Sequence, residues 1–374
     1  MMSVIPPDRN EVFYAWLASA MIPSEVFLSV SDAFRDFSGF HASFMNHEDQ
    51  AVSMIPQRCH RTLQANGTSR SLEKVQAVLE KLGIGVFSIA DPVYPQMLKQ
   101  IPDPPAVLFY LGNLKCLGTR TLAVVGSRSA SYSGLQATRK ITRELSRKGV
   151  TIVSGMACGI DAAAHWGCLE GSSPTIAVMG CGLDIVYPSD NARLRDAILG
   201  GGGLLLSEFV PGEKPLGWHF PLRNRIITGI SSALILMEAK IRSGSLTSVR
   251  HALDQGKDVF VYPGDPSSGY YEGNHQLLRE GARYFTGSED ILEDMAWLDN
   301  QTIIGHNIDC SATVPADSPA EEAVLQALKP GTLSFEQLSG LTGLSPSELM
   351  SSITMLQVKG MIETLPGKFY RIKG

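Results

Sequence analysis

The sequence has no apolar stretch long enough to cross a bilayer. One of the longest uncharged apolar runs, residues 226–237, falls well short of the ~20 residues that a membrane-spanning helix needs. The N-terminus carries Asp8, Arg9 and Glu11 before its first long apolar stretch, whereas a secretory signal has a basic region followed by an apolar one. We therefore expect a cytoplasmic protein that does not associate with membranes.

Paired cysteines are also missing. The six cysteines form no CxxC motif and have no histidine at zinc-finger spacing, so neither a disulfide framework nor a metal site is predicted. Free thiols in a reducing compartment are the simpler interpretation. The six are Cys59, Cys116, Cys158, Cys168, Cys181 and Cys310.

Positive charge is not in excess either. The chain has 32 Lys and Arg against 37 Asp and Glu, a net charge of −5, which argues against binding nucleic acid by bulk charge but leaves room for a local basic groove. Hydrophobic residues make up 44% and charged residues 18% of the chain, which excludes disordered and fibrous classes. The length of 374 residues predicts two or three domains.

From residue 121 onward, apolar strands alternate with helices. Continuous apolar strands joined by helical crossovers predict an α/β fold with a doubly wound parallel sheet of Rossmann type, which binds ligands at the carboxyl ends of its strands. Strands are predicted at 122–125, 151–153, 175–179, 204–206, 233–237 and 259–262. Helices are predicted at 134–148, 161–169, 191–199, 222–229 and 246–255.

The segments before and after this α/β region have different sequence patterns. Residues 1–85 have helical spacing at 12–17 and 72–82 and predict a small helical module, followed by a proline-rich connector with a buried strand at 107–111. After a polar linker, the helices at 320–328, 334–341 and 345–359 and a hairpin within 361–372 predict a winged helix, with Ser345 and Glu348 as a capping box. The predicted domains are 1–85, 86–298, 299–318 (linker) and 319–374.

The turn after the first Rossmann strand is suited to anions. Gly126 allows close backbone approach, Ser127 and backbone N–H groups can donate to phosphate oxygens, and Arg128 offers a bidentate fork. The fingerprint GxGxxG is absent, so we expect no dinucleotide cofactor. Taken alone, the motif is also compatible with a plain turn and a solvated arginine.

Further groups converge on the same edge of the sheet. Small glycine-bearing turns follow later strands, and Ser243-Gly244-Ser245 opens a helix, an arrangement that favours anions. Cations beside an aromatic face are what single-stranded nucleic acid needs. The candidate cations and ring are Phe220, Arg223, Arg225, Lys240 and Arg242. Core packing is the alternative for Phe220 and the preferred interpretation for the neighbouring Trp218, and an ion pair with Glu238 is the alternative for Arg223.

Catalysis has little support in the sequence. His165, His219 and His251 are isolated from any nucleophile motif, and Asp161 is better interpreted as a helix N-cap than as an acid catalyst. We therefore expect a protein that is not an enzyme. The alternative is a Rossmann-type hydrolase acting on nucleoside monophosphates, with Glu238 as its acid.

A series of motifs between about residues 86 and 290 resembles the DNA processing protein A (DprA/Smf) family. They are Asp91-Pro-x-Tyr-Pro, Asp103-Pro-Pro, Val124-Val-Gly-Ser-Arg, Val153-Ser-Gly-Met-Ala-x-Gly-Ile-Asp-x-x-Ala-His, Gly182-Leu-Asp-x-x-Tyr-Pro, Leu206-Ser-Glu, Phe220-Pro-x-Arg-Asn-Arg-Ile-Ile, Glu238-Ala-x-x-x-Ser-Gly-Ser and Val261-x-Pro-Gly.

The resemblance implies a non-enzymatic protein that binds single-stranded DNA during natural transformation, protects it and loads the recombinase RecA onto it, commonly as a homodimer. It implies that Arg128 grips phosphate, that Phe220 stacks on a base and that Lys240 or Arg242 flanks the strand. It also implies a SAM-like N-terminal module. The chain departs from the family at Cys158 and at Ser189-Asp190, where relatives often carry a basic residue. With fewer basic residues than its relatives, this chain would neutralise fewer phosphates of the bound DNA, and we expect weaker binding.

The winged helix lacks the charge of a duplex reader. Residues 316–374 hold six acids and five bases, a net charge of −1, and the helix at 345–359 has Glu348 near its start and one base at its far end. We expect this module to contact protein, either the other subunit or a partner.

Overall fold

The computed structural model of the chain describes residues 10–34, 36–302, 319–328, 333–358, 362–365 and 369–372. Contacts divide the chain into two compact units, Met1–Ala296 and Trp297–Gly374. The predicted boundary after residue 85 falls within a strand, and the boundary after residue 298 falls within a helix. The four-part division stays a prediction, and residues 303–318 of the predicted linker lie outside the described residues.

Helices occupy the start of the first unit. They are α1 Glu11–Ala18, α2 Ser24–Ala33, α3 Phe37–Met45, α4 Asp49–Met54, α5 Gln57–Asn66 and α6 Ser69–Leu82. Their buried aromatic side chains, among them Trp16, Phe27, Phe40 and Phe44, belong to the same apolar cluster as strands of the sheet. The helical character predicted for residues 12–17 and 72–82 is confirmed in α1 and α6.

The rest of this unit alternates strands and helices. The strands are β1 Gly85–Ser88, β2 Val107–Gly112, β3 Thr121–Val125, β4 Thr151–Ser154, β5 Thr175–Met179, β6 Leu204–Ser207, β7 Ala233–Leu236, β8 Asp258–Val261 and β9 Arg283–Tyr284. The helices are α7 Gln96–Lys99, α8 Tyr132–Arg147, α9 Ile160–Leu169, α10 Ala192–Gly200, α11 His219–Gly229, α12 Ser245–Asp254 and α13 Glu272–Arg279. A further helix, α14 Ser288–Thr302, begins in the first unit, and its residues after Ala296 are assigned to the second.

These strands form one sheet in the order β1-β2-β6-β5-β4-β3-β7-β8-β9. Neighbours from β6 to β9 are parallel, which confirms the predicted doubly wound α/β sheet. At one edge, β2 pairs antiparallel with β6, and β1 pairs antiparallel with β2. The strand predicted at 107–111 therefore joins the sheet as β2, whereas β1 and β9 are strands that the sequence pattern did not predict.

Apolar side chains cover both faces of the sheet. Along β3, Ala123 and Val125 belong to one cluster, while Leu122 and Val124 belong to another, because successive side chains of a strand point to opposite faces. Ile141 of α8 lies in the second cluster. Burial on both faces explains why the strands read as continuous apolar runs.

The second unit is a small winged helix, as predicted. Its elements are α15 Pro319–Leu328, β10 Leu333–Ser334, α16 Phe335–Thr342, α17 Pro346–Val358, β11 Ile362–Leu365 and β12 Phe369–Ile372, with sheet order β10-β12-β11. The predicted capping box is present, because Ser345 N donates to Glu348 at 3.1 Å and Glu348 N donates to Ser345 Oγ at 3.4 Å. Among the described residues, no helix is both long and apolar enough to span a membrane.

Candidate nucleic-acid interface

The candidate site lies where the order of the sheet reverses. The chain passes from β3 through β4 and β5 to β6 on one side, and then crosses back to β7 on the other side of β3. The loops after β3 and β7 therefore lead in opposite directions and leave a crevice at the carboxyl ends of the strands. A pocket of about 730 Å³ opens at this crevice.

Most of the residues predicted for the site line this pocket. They are Gly126, Ser127, Arg128, Phe220, Arg223, Lys240, Arg242, Ser243, Gly244 and Ser245, and the lining also includes Asp161, Tyr187, Asn224 and Ser248. Of the predicted residues, Arg225 is not part of the lining. The fold thus gathers residues that are more than a hundred positions apart in the sequence.

The loop after β3 is held by its backbone. Ser127 N donates to Glu238 O at 2.8 Å, and Ile160 N donates to Ser127 O at 3.1 Å. A Cβ on Gly126 would lie 2.6 Å from the Ile160 side chain, and Gly159 has a φ of +80° with Ser127 O only 2.3 Å from where its Cβ would be. Glycine is therefore favoured at both positions, because Gly126 packs against the Ile160 side chain and Gly159 packs against the backbone of the loop after β3.

Arg128 and Phe220 form the first cation–aromatic pair of the pocket. Arg128 is exposed, and its guanidinium carbon lies 4.9 Å from the centroid of the Phe220 ring. Tyr187 also packs against Phe220, with 5.5 Å between the ring centroids and the planes inclined by 31°. Phe220 is only partly buried, so core packing alone does not describe it. Part of its ring is open to the pocket.

The loop after β7 supplies the second group of cations. Lys240 and Arg242 are exposed, and Lys240 Nζ lies 4.7 Å from the centroid of the Tyr270 ring. The hydroxyls of Ser243 and Ser245 are 2.7 Å apart where α12 begins. Because the first N–H groups of a helix favour negative charge, this end of α12 adds to the attraction of the two cations for an anion.

Arg223 forms the floor of the pocket, and the ion pair considered for it is absent. It is 3% exposed, and its Nη1 donates to the carbonyls of Gly155, at 2.8 Å, and of Val178. Glu238, the partner considered from the sequence, instead accepts hydrogen bonds from the backbone N–H and hydroxyl of Ser131. Burial lowers the pKa of Arg223 to about 10, so the guanidinium stays protonated at neutral pH.

Asp161 is buried beside Arg223 and is not a helix N-cap. The N-cap of α9 is Gly159, while the Asp161 carboxylate accepts hydrogen bonds from Gly155 N at 3.1 Å and Ala157 N at 3.4 Å. Burial raises the pKa of Asp161, and the nearby Arg223 works in the opposite direction. The carboxylate therefore holds the loop after β4 in place.

Arg225 does not belong to the candidate site. It is 5% exposed, and its terminal nitrogens donate to the two oxygens of Glu208 at 2.9 and 2.7 Å. Its Nε donates to Asp103 at 3.1 Å. The side chain thus ties α11 to the end of β6 and to the proline-rich connector, and its charge is already neutralised by carboxylates. The sequence pattern could not distinguish it from Arg223, two positions earlier.

Two aromatic residues differ from their interpretation in the sequence. Trp218 is 55% exposed and contacts Phe209 and His219 edge-on, so its assignment to the core was wrong. Tyr187 lines the pocket, although it was noted only as part of a motif. Its position in the turn after a parallel strand was the available signal, since that turn lies at the ligand edge of the sheet.

The pocket is positively charged overall. Among its lining residues, Arg128, Lys240 and Arg242 are exposed cations, and the acid is the buried Asp161. Within the described ranges, no cluster of His, Cys, Asp and Glu could hold a metal ion. The arrangement suits an anionic ligand that also presents a flat apolar face.

A family model for DNA recombination-mediator protein A matches residues 85–296, more than half of the chain. The chain belongs to the DNA recombination-mediator protein A family. A second model, the DprA winged helix domain, matches residues 311–368. The pocket described above lies entirely within the first match, as do all the motifs on which the family resemblance rests.

Individual members of the DNA recombination-mediator protein A family are similar over long stretches. DNA processing protein DprA of Streptococcus pneumoniae is 48% identical over 208 residues, 56% of this chain and 73% of the relative. Its crystal structure superposes with a TM-score of 0.62 and covers 75% of this chain and 97% of that one. Protein Smf of Escherichia coli is 32% identical over 94% of this chain and 97% of its own length.

A structure of DNA processing protein A from Helicobacter pylori is also similar, with 30% identity and a TM-score of 0.52 over 57% of this chain and 96% of that one. That structure concerns the single-stranded DNA binding mode of the Helicobacter pylori protein.

Proposed function

We propose that this chain binds single-stranded DNA in the pocket between the loops after β3 and β7. The observation that carries the proposal is the pocket itself, whose lining combines three exposed cations with the partly exposed ring of Phe220. Phosphates attract cations, and every base has a face that can stack on an aromatic ring, so this combination binds single strands with little dependence on sequence. The Helicobacter pylori structure, which concerns the single-stranded DNA binding mode of that protein, supports the same proposal.

The proposed biological role is that of a recombination mediator. The chain would protect incoming DNA and load RecA onto it during natural transformation, as a cytoplasmic homodimer without enzymatic activity. Membership of the DNA recombination-mediator protein A family supports this role. The mediator role is tested by following RecA assembly on single strands coated with single-strand binding protein. The homodimer is tested by light scattering.

The pocket is tested with labelled oligothymidine and a duplex of equal length. We expect binding of the single strand in preference to the duplex. Arg128→Ala should weaken binding and lower the salt slope by about 0.7, the contribution of one single-strand phosphate. Arg61→Ala, which removes an exposed arginine from α5, is the matched control and should leave the slope unchanged. An unchanged slope in Arg128→Ala would place this residue outside the groove.

Phe220→Ala should cost about 1 to 3 kcal/mol of binding, the usual value of one stacked base. Phe220→Tyr keeps the ring and should bind nearly as well as the native chain. Thermal unfolding followed by circular dichroism separates a binding loss from a folding loss. If Phe220→Ala unfolds while Phe220→Tyr does not, the ring serves the core and not the ligand.

The alternative, a hydrolase of nucleoside monophosphates, gains no support from the geometry. Its acid would be Glu238, which is fully buried and accepts hydrogen bonds from Ser131 at both carboxylate oxygens. Glu238 is not among the residues that line the pocket. Release of free base from nucleoside monophosphates is the outcome that would restore this alternative.

A further inference from the structure

The outward face of α8 carries a row of long polar side chains. An α-helix turns about 100° per residue, so side chains at intervals of three and four positions lie on one face. Six such positions fall within an arc of about 100° on α8. They are Tyr132, Gln136, Arg139, Lys140, Arg143 and Arg147. The opposite face of the helix, with Ile141 and Leu145, is buried against the sheet.

These side chains are accessible. Tyr132 is 78% exposed, and the side chains of Arg139 and Arg143 are 48% and 38% exposed. Gln136, Lys140 and Arg147 are exposed as well. A tyrosine with this much of its ring in solvent gains little from packing, so stability of the fold does not explain its presence.

The positive charge on this face exceeds the acids that neutralise it. Glu170 pairs with Arg139 and lies 3.7 Å from Arg143, so one carboxylate serves two arginines. In the part of the chain that the structure describes, Lys140 and Arg147 form no ion pair. The acid on α8 itself, Glu144, accepts a hydrogen bond from Ser288 at 3.0 Å. In a chain of net charge −5, such a local excess of cations marks a surface for an anion.

The face begins at the pocket. The loop that carries Arg128 leads directly into α8, and Ser131 caps the helix by accepting a hydrogen bond from Gly134 N at 3.0 Å. A helix of 16 residues is about 24 Å long. Because the helix follows a strand that ends at the pocket, it leads away from that edge, with Tyr132 at the near end and Arg147 at the far end.

We propose that this face of α8 binds the phosphate backbone of the single-stranded DNA that leaves the pocket. Tyr132 receives a base next to the pocket, and Lys140 and Arg147 contact phosphates further along the strand. The proposal rests on the proposed function of the pocket and adds to it a second, extended subsite for the same molecule. Charge complementarity favours a nucleic-acid backbone, which is anionic at every residue.

The test compares short and long oligothymidine in fluorescence anisotropy with the full-length protein. An oligomer of about 6 nucleotides is matched to the pocket, and one of about 20 nucleotides also reaches along α8. The variant is Lys140→Glu with Arg147→Glu. The control is Arg61→Glu with Lys81→Glu, which changes the same charges at exposed positions on α5 and α6. Measurement near physiological salt, where the screening length is about 8 Å, suppresses distant effects of charge.

We expect the double variant to bind the short oligomer as the native chain does and the long oligomer about tenfold more weakly, with a salt slope reduced by about 1.4. The control should match the native chain on both. Equal loss of affinity for both oligomers, or no loss for either, overturns the proposal. If neither affinity falls, an acidic protein partner becomes the better candidate for binding this face of α8. If the native chain binds neither oligomer, the pocket proposal fails instead.

Discussion

At the scale of single residues, three arginines at the ligand edge of the sheet have three different environments. Arg128 is exposed beside Phe220 and has its guanidinium available to a ligand. Arg223 donates to backbone carbonyls and supports the floor of the pocket. Arg225 is buried and forms an ion pair with the buried Glu208, and it also pairs with the exposed Asp103. Removing one partner of such a buried pair costs about 3 to 5 kcal/mol, so Arg225 contributes to the fold rather than to recognition.

His165 makes the stability of the first unit depend on pH. It is fully buried on α9, with Nδ1 2.7 Å from Thr175 Oγ1, while its Nε2 has no hydrogen-bond partner in the described residues. Burial, reinforced by Arg223, lowers its pKa from 6.5 to about 3. Between these values the unfolded chain binds a proton that the folded chain does not, so stability falls as the pH drops below 6.5.

We expect this residue to cost the native chain about 1.4 kcal/mol of unfolding free energy per pH unit below 6.5. Urea unfolding at pH 7.5 and 5.5, for the native chain and His165→Gln, measures the difference. The glutamine variant lacks a group that titrates in this range, so its stability should fall less by about 1.4 kcal/mol. Parallel losses in both chains would show that other groups set the pH dependence.

At the scale of elements, the contact between the loops after β3 and β4 determines where Arg128 lies. We expect Gly159→Ala to lower the unfolding free energy by about 3 kcal/mol, because it adds a backbone clash to the strain of a positive φ. The clash is with the carbonyls of Ser127 and Arg128, so binding of oligothymidine should weaken too.

The matched control is Gly149→Ala. Gly149 has a φ of +83°, but no atom lies within 4 Å of the position of its Cβ. It should cost about 1 kcal/mol from strain alone and leave binding unchanged. Equal costs in the two variants, measured by urea unfolding, would mean that the loops separate easily and do not position Arg128.

Most elements of the Rossmann sheet could be predicted because each signal is local. An apolar run between glycine-bearing turns, as at β3 and β5, indicates a buried parallel strand whichever strands become its neighbours in the sheet. The edges were harder to predict. β9 is two residues long, and β1 pairs with β2 from across a proline-rich connector, so neither leaves a periodic pattern.

For the site, the sequence predicted which segments meet but not which side chains face the pocket. The topology of the parallel sheet brings the turns after β3 and β7 together. The presence of Arg128 and Lys240 in one pocket could be predicted for that reason. The direction of a side chain depends on partners far away in the sequence. Arg225 meets Asp103 across 122 positions, so its pairing could not be derived from local spacing.

At the scale of the whole molecule, the winged helix is a separate compact unit of low charge. The exposed side chains of α17 include Met350, 51% exposed, and Met355, 45% exposed, and its first turn carries Glu348. Such a surface suits a protein partner better than the phosphates of a duplex. Removal of the residues after Asp317 should therefore leave oligothymidine affinity within a few-fold of that of the full chain.

Fluorescence anisotropy on the full and truncated chains measures this affinity, and light scattering shows whether the truncation changes the assembly. The isolated unit, mixed with duplex DNA at physiological salt, provides the complementary measurement. A shift of the duplex, or loss of single-strand binding by a truncated chain that stays folded, would contradict the charge argument.

The crossing of the chain from β6 to β7 divides the pocket between two halves of the polypeptide. Arg128 and Tyr187 precede the exposed segment around Lys214, while Phe220 and Lys240 follow it. A single cut in that segment would leave two fragments joined through the pairing of β3 with β7. A bound DNA strand would contact residues of both fragments, so the fragments should dissociate more slowly with the ligand than without it.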